Sequence, residues 1–279
     1  MPAAPDSGLG SRDDSTDEGD VPRSCAGRGS ESRSPARPTR FDRMKLFQHD
    51  DPVQELLPAE PDEGREFPIT REELVVVSKP DGPEAEQFRR LRNSIQALNA
   101  DGASRSVLFT SAVEGEGKTV ASLNLALALR ELPHLTVCVV DANRFHPSVE
   151  GYLGLPRRQG LNEVLSGKLT IDQAVRRTSL KRFDVMGAGA QTADPVFNVD
   201  RVRSVLNALK RRYDYVLVDA PPVLNTAHSS LLAALADGIL LVVRIGSTPK
   251  GLVEEAYTMV EGLGGNVLGT LALGADDLG

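Results

Sequence analysis

Short, continuous apolar runs alternate along the chain with longer segments whose apolar residues recur at helical spacing. Six of the runs predict buried strands: SVLFTS, LTVCVVD, RFDVMGAG, YDYVLVDAPP, GILLVVRIG and NVLGTLALG. The segments between them predict helices: GKTVASLNLALALREL (an amphipathic one), TIDQAVRRT, VDRVRSVLNALKRR, SSLLAALAD and KGLVEEAYTMVEGLG. Continuous apolar strands between helices are typical of an α/β fold with a doubly wound, mostly parallel sheet that is covered on both faces.

The ordered part is expected to begin near Leu74. The segment ELVVVSKPDG predicts a short strand that ends at a Pro/Gly turn. The next segment predicts a helix between Pro83 and Gly102, with apolar residues at three- and four-residue spacing: Phe88, Leu91, Ile95 and Leu98. One α/β domain over roughly residues 80–274 accounts for the whole pattern.

Residues 1–67 differ from the rest in composition. They hold 15 acidic residues and 9 Lys or Arg, so they carry most of the net charge of −7, and they are rich in Ser, Pro, Asp and Gly. Such a stretch buries too little apolar surface to offset the entropy lost on ordering. The composition therefore predicts a disordered acidic tail over residues 1–67 and a folded domain over residues 68–279.

Several classes of protein are disfavoured by simple features of the chain. Two cysteines, Cys25 and Cys138, make no disulfide framework and indicate a reducing compartment. Residues 1–20 have no apolar core of a secretory signal, and no apolar run approaches the ~20 residues that span a bilayer. There is no basic patch for nucleic acid. These features predict a cytoplasmic protein that associates with a membrane only through a partner.

The segment FTSAVEGEGKTV, residues 109–120, has the features of a phosphate-binding loop between a strand and a helix. The strict pattern G-x-x-x-x-G-K-[ST] is broken because its first glycine falls on Ala112. The context still predicts nucleotide binding, since the helix N-terminus offers unpaired N–H groups. The predicted nucleotide-binding residues are Gly115, Glu116, Gly117, Lys118, Thr119 and Val120.

Within this loop each residue type suits a separate task. Gly115 and Gly117 let the backbone approach phosphate closely, Lys118 reaches the β- and γ-phosphate oxygens, and the Thr119 hydroxyl ligates Mg²⁺. We expect the lysine to be exposed when no nucleotide is bound. Backbone N–H groups bind the phosphates, so the side chains of Glu114 and Glu116 can point outward and need not oppose binding.

Two further carboxylates follow predicted strands. Asp141 ends TVCVVD and Asp219 ends YVLVD, and ligands of parallel sheets collect at the carboxyl ends of strands. Asp219 is predicted to hold the hydration shell of Mg²⁺, as a Walker B acid does. Asp141 is predicted to act as a second metal contact or as a general base. Alternatively, each aspartate caps a helix or a turn.

The order of these motifs resembles that of the bacterial tyrosine kinase (BY-kinase) family of P-loop ATPases, which act in capsule and exopolysaccharide export. TSAVEGEGKT resembles the family's Walker A motif, VVDANRFHP its Walker A′ motif and VLVDAPP its Walker B motif, and the resemblance covers about residues 73–273. It implies a protein-tyrosine kinase that uses ATP and Mg²⁺, with Lys118, Asp141 and Asp219 as catalytic residues. It also implies a membrane polysaccharide co-polymerase, or chain-length regulator, as the partner that brings the protein to the inner membrane.

A charged stripe precedes the loop on the predicted helix. Glu86, Arg89 and Arg92 match the family's E-x-x-R-x-x-R motif, which implies a contact between subunits of a homo-oligomeric ring. Spacing of three residues puts the charges on one side of the helix, so the stripe could equally be a solvated face.

Several positions depart from the family pattern. A proline is replaced by Glu114, and the second aspartate of Walker A′ by Asn143, which cannot accept a proton in its place. Further family positions are occupied by Phe145, His228 and Leu273, where the resemblance implies an arginine, an aspartate and an adenine-contacting asparagine.

The family's C-terminal tyrosine cluster is also missing, since the chain ends in GADDLG and its tyrosines are Tyr152, Tyr213, Tyr215 and Tyr257. We therefore expect tyrosine phosphorylation to fall on a partner chain rather than on this one. The alternative function is a nucleotide-dependent scaffold, a positioning ATPase or a pseudokinase of the same fold.

Overall fold

The computed structural model describes residues 69–190 and 198–274. Their helices are α1 (Val75–Ser78), α2 (Pro83–Leu98), α3 (Lys118–Arg130), α4 (Val149–Tyr152), α5 (Leu161–Leu165), α6 (Ile171–Ala174), α7 (Val199–Lys210), α8 (Ala227–Leu235) and α9 (Lys250–Gly262). Their strands are β1 (Arg105–Ser111), β2 (Val137–Asp141), β3 (Arg176–Arg177), β4 (Phe183–Met186), β5 (Tyr215–Asp219), β6 (Gly238–Arg244) and β7 (Val267–Leu273). The tail predicted over residues 1–67 lies outside the described residues.

The strands form one sheet in the order β3-β4-β2-β5-β1-β6-β7. All neighbouring pairs are parallel except β3 and β4 at one edge. The α/β fold with a mostly parallel sheet is therefore confirmed. Strand order changes direction at β1, which lies between β5 and β6, and a crevice for ligands forms at such a switch point.

Side chains of successive strand residues point to opposite faces, so each strand contributes to two hydrophobic cores. Val107 and Phe109 of β1 pack with α1, α2 and α3 on one face. Leu108 of the same strand packs on the other face, with α5, α7, α8 and α9. Helices on both faces make the sheet doubly wound, as the continuous apolar runs predict.

Two predicted elements were wrong. ELVVVSKPDG does not form a strand, because Val75–Ser78 is one turn of helix. The Asn124 side chain of α3 accepts from Val76 N at 3.1 Å and donates to the carbonyl of Glu73 at 2.8 Å, and these bonds hold the segment against α3. TIDQAVRRT is helical only to Ala174 and then enters the sheet as β3.

Helix α3 is more deeply buried than an amphipathic helix would be. Ten of its 13 residues are buried, because the sheet covers one side and α1 and α2 cover the other. The short helices α4 and α5 were not predicted, since four or five residues give too little periodicity to recognise.

Among the described residues, none of the helices combines the length and apolar character that crossing a bilayer requires.

Candidate nucleotide site

The predicted phosphate loop lies at the centre of the sheet. It connects Ser111, the last residue of β1, with Lys118, the first residue of α3. Gly115 and Gly117 have φ values of 81° and 89°, a region that favours glycine. A Cβ added to Gly117 would also lie only 2.7 Å from Leu273 Cδ1. The strand–loop–helix arrangement is confirmed, and both glycines are required by the backbone.

Lys118 is buried, so the expectation of an exposed lysine was wrong. Its side chain is 5% exposed, and its Nζ lies 3.3 Å from Oε2 of Glu114, which is 39% exposed. The two residues are four positions apart, and the loop folds the glutamate back over the start of α3. A carboxylate thus partners the ammonium group that a nucleotide phosphate would otherwise meet.

Glu116 points into the protein, although the sequence also allows an outward orientation. It is 2% exposed. Its Oε2 accepts a hydrogen bond from Ala112 N at 3.1 Å, and its Oε1 accepts one from the Thr248 hydroxyl. Burying a carboxylate is costly unless hydrogen bonds compensate it, and these two contacts supply that compensation.

Asp219 and Thr119 meet beside the loop, as predicted for a magnesium site. The Thr119 hydroxyl donates to Asp219 Oδ2 at 2.5 Å, and Ser148 Oγ lies 2.9 Å from the same hydroxyl. Asp219 Oδ1 is buried and finds no hydrogen-bond partner among the described residues. Because Mg²⁺ prefers oxygen ligands and usually keeps several waters, this unpaired carboxylate oxygen beside a hydroxyl fits the ion.

Asp141 lies next to Asp219, since the two residues are register partners at the carboxyl ends of β2 and β5. Its oxygens accept from three backbone N–H groups, those of Asn143 at 3.0 Å, Ser148 at 2.9 Å and Val149 at 3.1 Å. The carboxylate therefore orders the loop after β2, which agrees with the alternative that it holds a turn. Its predicted role as a base stays a prediction.

The two aspartates influence each other's protonation. Burial raises the pKa of Asp141. Burial also raises the pKa of Asp219, and the Asp141 charge raises it further, whereas the Thr119 hydrogen bond and the Lys118 charge oppose the shift. Two neighbouring buried carboxylates resist ionising together, so a bound cation would relieve their repulsion.

Three of the departures from the family pattern lie around this pair of aspartates. The Asn143 side chain is buried, and its Oδ1 accepts from His146 N at 3.1 Å, so it orders the loop. Phe145, in the same loop, stacks on His228 of α8 with 6.1 Å between ring centroids. His228 is half-buried and lies at the start of α8, so the stacking joins the loop after β2 to that helix.

The charged stripe on α2 has partners within the chain. Arg89 donates from Nε and Nη2 to Glu131 at distances from 2.8 to 3.2 Å. Arg92 Nη1 donates to Glu131 Oε2 at 2.9 Å and to the carbonyl of Ala128 at 3.1 Å. The arginines thus bind the C-terminal end of α3, where cations are favoured, while the Glu86 side chain is 53% exposed. The contact between subunits stays a prediction.

Replacing Glu131 with glutamine is expected to lower the free energy of unfolding by about 1 kcal/mol at neutral pH, because charge-assisted hydrogen bonds to α2 are lost. The Arg89 hydrogen bond is the largest cause that lowers the pKa of Glu131. The stabilisation therefore exists above the pKa of the unfolded chain and disappears as pH falls through the folded pKa. Urea unfolding at neutral and acidic pH measures it, with the exposed Glu255→Gln of α9 as control. An equal loss at both pH values would contradict this assignment.

Two residues of the site were missed by sequence analysis. Ser148 contacts Thr119, and Thr248 contacts Glu116 across 132 positions of sequence. Neither lies in a motif with a recognisable spacing, and single hydroxyl residues are common in loops. The signal that could have been used for Ser148 is its place just before a helix, where serine is favoured.

Comparison with known proteins agrees with this geometry. The AAA domain family matches residues 105–253, over half of the chain. The tyrosine-protein kinase YwqD of Bacillus subtilis is 29% identical over 203 residues, which cover 72% of this chain and 85% of YwqD. The tyrosine-protein kinase CpsD of Streptococcus agalactiae is 27% identical over 189 residues, covering 67% of this chain and 81% of CpsD.

A solved structure supports the same relationship. The kinase domain of the Escherichia coli tyrosine kinase ETK superimposes with a TM-score of 0.67 and 25% identity, covering 71% of this chain and 78% of that domain. Motifs, site geometry and relatives thus agree. The chain belongs to the AAA domain family, and the relatives and the solved structure that it resembles are bacterial tyrosine kinases.

Proposed function

We propose that this protein binds ATP with Mg²⁺ on the loop between β1 and α3 and transfers the γ-phosphoryl group to tyrosine on a partner chain. The observation that carries the proposal is the Asp219–Thr119 pair beside a loop lysine, since the buried Asp219 Oδ1 has no hydrogen-bond partner in the described part of the chain. The names of the related kinases support tyrosine as the acceptor. The resemblance to this family supports capsule or exopolysaccharide production as the process in which the protein acts.

The chain's own residues would act mainly by position and charge. The N-terminus of α3 and the glycines of the loop present backbone N–H groups to the phosphates. Lys118 would exchange Glu114 for phosphate oxygens and offset charge on the transferring group. Asp219 and Thr119 would hold Mg²⁺, which supplies charge neutralisation at the β- and γ-phosphates when bound.

Asp141 is the candidate that would receive the proton of the tyrosine hydroxyl. Its raised pKa, caused by burial, gives it a higher proton affinity than an ordinary aspartate, which a general base near neutral pH needs. The three N–H groups that it accepts would hold its carboxylate in a fixed orientation.

The acceptor is proposed to lie on a partner because the tyrosines of the described residues are engaged in the fold. Tyr215 is 2% exposed, and the Tyr213 hydroxyl donates to Asp184 at 2.7 Å. Tyr257 lies within α9 and donates to the next turn of that helix, and Tyr152 of α4 packs, partly buried, against the hydrophobic core. A cytoplasmic tail of a membrane co-polymerase or chain-length regulator would supply the acceptor and bring the protein to the inner membrane. A homo-oligomeric ring would present such tails to several sites.

A second candidate function is a nucleotide-dependent switch or positioning ATPase without kinase activity. One observation favours it. The side-chain oxygens of Asn143 and Asp141 accept hydrogen bonds from backbone N–H groups of the loop after β2 and so order that loop. Nucleotide and Mg²⁺ would then change the shape of this loop without group transfer.

The test is incubation of the full chain with ATP and Mg²⁺, with and without a synthetic peptide of the partner's cytoplasmic tail. We expect phosphotyrosine on the peptide, seen as a gain of about 80 Da, the mass of one phosphoryl group, and no ladder of phosphotyrosines on the protein. ATP turnover without phosphotyrosine would support the switch. A multiply phosphorylated protein would contradict the placement of the acceptor on a partner, and no ATP binding would overturn both functions.

A further inference from the structure

A buried carboxylate lies within the phosphate loop itself. Glu116 is 2% exposed and stands two residues before Lys118. A negative charge here repels the phosphates that the loop is proposed to bind, and its burial is costly as well. These two costs indicate that Glu116 has a role that offsets them. Its two hydrogen bonds indicate what that role is.

The first hydrogen bond closes the loop on itself. Glu116 Oε2 accepts from Ala112 N at 3.1 Å, so residues 113–115 form an arch between a backbone N–H and a side chain four positions later. Gly115 in this arch has a φ of 81°, one of several conformations that an unrestrained glycine samples readily. The hydrogen bond therefore restrains the part of the loop that must curve around phosphate.

The second hydrogen bond ties the loop to another part of the fold. Glu116 Oε1 accepts from the hydroxyl of Thr248, which lies between β6 and α9. That connection is itself ordered, because Thr248 N donates to the carbonyl of Arg244 at 3.3 Å and Ile245 N donates to the carbonyl of Leu273 at 2.9 Å. Thr248 is thus a fixed anchor for the phosphate loop.

Leu273 approaches the phosphate loop from the same side. Its Cδ1 would be 2.7 Å from a Cβ at Gly117. The end of β7 and the β6–α9 connection therefore lie on the same side of the phosphate loop. Glu116 links the loop to the β6–α9 connection by a hydrogen bond.

We propose that Glu116 is a positioning residue that holds the phosphate loop ready for the nucleotide, acting through Ala112 N–H and the Thr248 hydroxyl. This inference rests on the proposed binding of ATP. A loop already held in its bound shape loses less conformational freedom on binding, and affinity rises accordingly. Repulsion between the Glu116 charge and the phosphates lowers the affinity instead. Substitutions that remove the charge alone, or the charge together with both hydrogen bonds, therefore separate the two effects.

The experiment titrates each full-length variant with a fluorescent ATP analogue and Mg²⁺, well below its unfolding temperature. Glu116→Gln removes the charge but keeps an oxygen for Ala112 N–H and an amide that can bond to the Thr248 oxygen. Glu116→Ala removes the charge and both contacts. We expect Glu116→Gln to bind at least as tightly as wild type and Glu116→Ala to bind about tenfold more weakly, because its loop must order on binding.

Thr248 gives a second test that leaves the loop sequence intact. Thr248→Val has the same shape without the hydroxyl and is expected to weaken binding several-fold, while Thr248→Ser should recover most of the affinity. In ATP hydrolysis the loss should appear in KM with little change in kcat, as for interactions made equally in ground and transition states. Ser247→Ala removes a neighbouring hydroxyl that donates to the Arg244 carbonyl and should leave affinity unchanged.

The outcomes distinguish the inference from the proposed function. If wild type fails to bind the analogue, ATP binding itself is wrong. If wild type binds and Glu116→Ala binds as tightly or more tightly, the carboxylate only repels phosphate and the positioning role is overturned. The same holds if Thr248→Val matches wild type, or if Glu116→Gln is as weak as Glu116→Ala.

Discussion

Replacement of Lys118 by methionine is expected to weaken ATP binding by about 100-fold and to leave the fold intact. Hydrogen bonds that involve charged groups contribute about 1.5–3 kcal/mol each, and 100-fold corresponds to about 2.7 kcal/mol. Methionine matches the length of the lysine stem at a position that is only 5% exposed, and Glu114, left behind, is 39% exposed and remains hydrated. The nucleotide-free protein should therefore unfold at nearly the wild-type temperature.

Titration with a fluorescent ATP analogue measures this effect, and thermal unfolding without nucleotide checks the fold. Lys250→Met is the matched control, because that lysine begins α9 and its side chain is 90% exposed. Wild-type affinity in Lys118→Met would contradict the phosphate-loop assignment. An equal loss in Lys250→Met would show that the effect does not come from the loop.

Replacement of Asp219 by asparagine is expected to reduce Mg²⁺-dependent ATP hydrolysis by at least about 100-fold, because the carboxylate at the proposed metal site loses its charge. The same change should stabilise the nucleotide-free protein by about 1 kcal/mol, since a buried charge beside Asp141 is removed. Burial and the Asp141 charge raise the pKa of Asp219, so the folded protein holds this proton more tightly than the unfolded chain. The stabilisation should therefore grow as pH rises.

Asp237→Asn is the control, because this carboxylate has the opposite environment. Burial raises its pKa, but hydrogen bonds from Ser106 and Lys210 outweigh burial and lower it overall. It lies beside the amino ends of β1 and β6, away from the proposed site. The variant should lose about 1–2 kcal/mol of stability and keep its hydrolysis rate. Urea unfolding and ATP hydrolysis are measured in parallel on both variants. A destabilised Asp219→Asn would contradict the repulsion assigned to Asp219 and Asp141.

The phosphate loop shows which structural features the local sequence can predict. Gly115, Gly117 and Thr119 lie where the motif predicts, because a strand–loop–helix unit with positive-φ glycines is determined by residues close together in sequence. Side-chain burial in the same loop does not follow from the motif, since Lys118 is buried where an exposed lysine was expected. Glu116 turns inward because its partner Thr248 is 132 positions away, and no local pattern contains that partner.

The charged stripe on α2 also has one feature that the sequence predicts and one that depends on the tertiary structure. Its spacing correctly predicts one charged side of a helix, but Arg89 contacts Glu131, 42 positions later, rather than solvent. Likewise, three consecutive valines favour a strand locally, yet the Asn124 side chain of α3 holds that segment as a turn of helix.

The sequence by itself determined the alternation of strands and helices, the mostly parallel doubly wound sheet, the position of the phosphate loop and the placement of Asp141 and Asp219 at strand ends. Each of these follows from periodicity or from residues within a few positions of one another, which the backbone converts directly into structure. The tertiary structure alone decided that Lys118 is buried against Glu114, that Glu116 is anchored to Thr248, and that one oxygen of Asp219 has no hydrogen-bond partner among the residues that the structure describes. These features depend on burial and on hydrogen bonds between distant segments, and such bonds exist only after packing has brought the segments together.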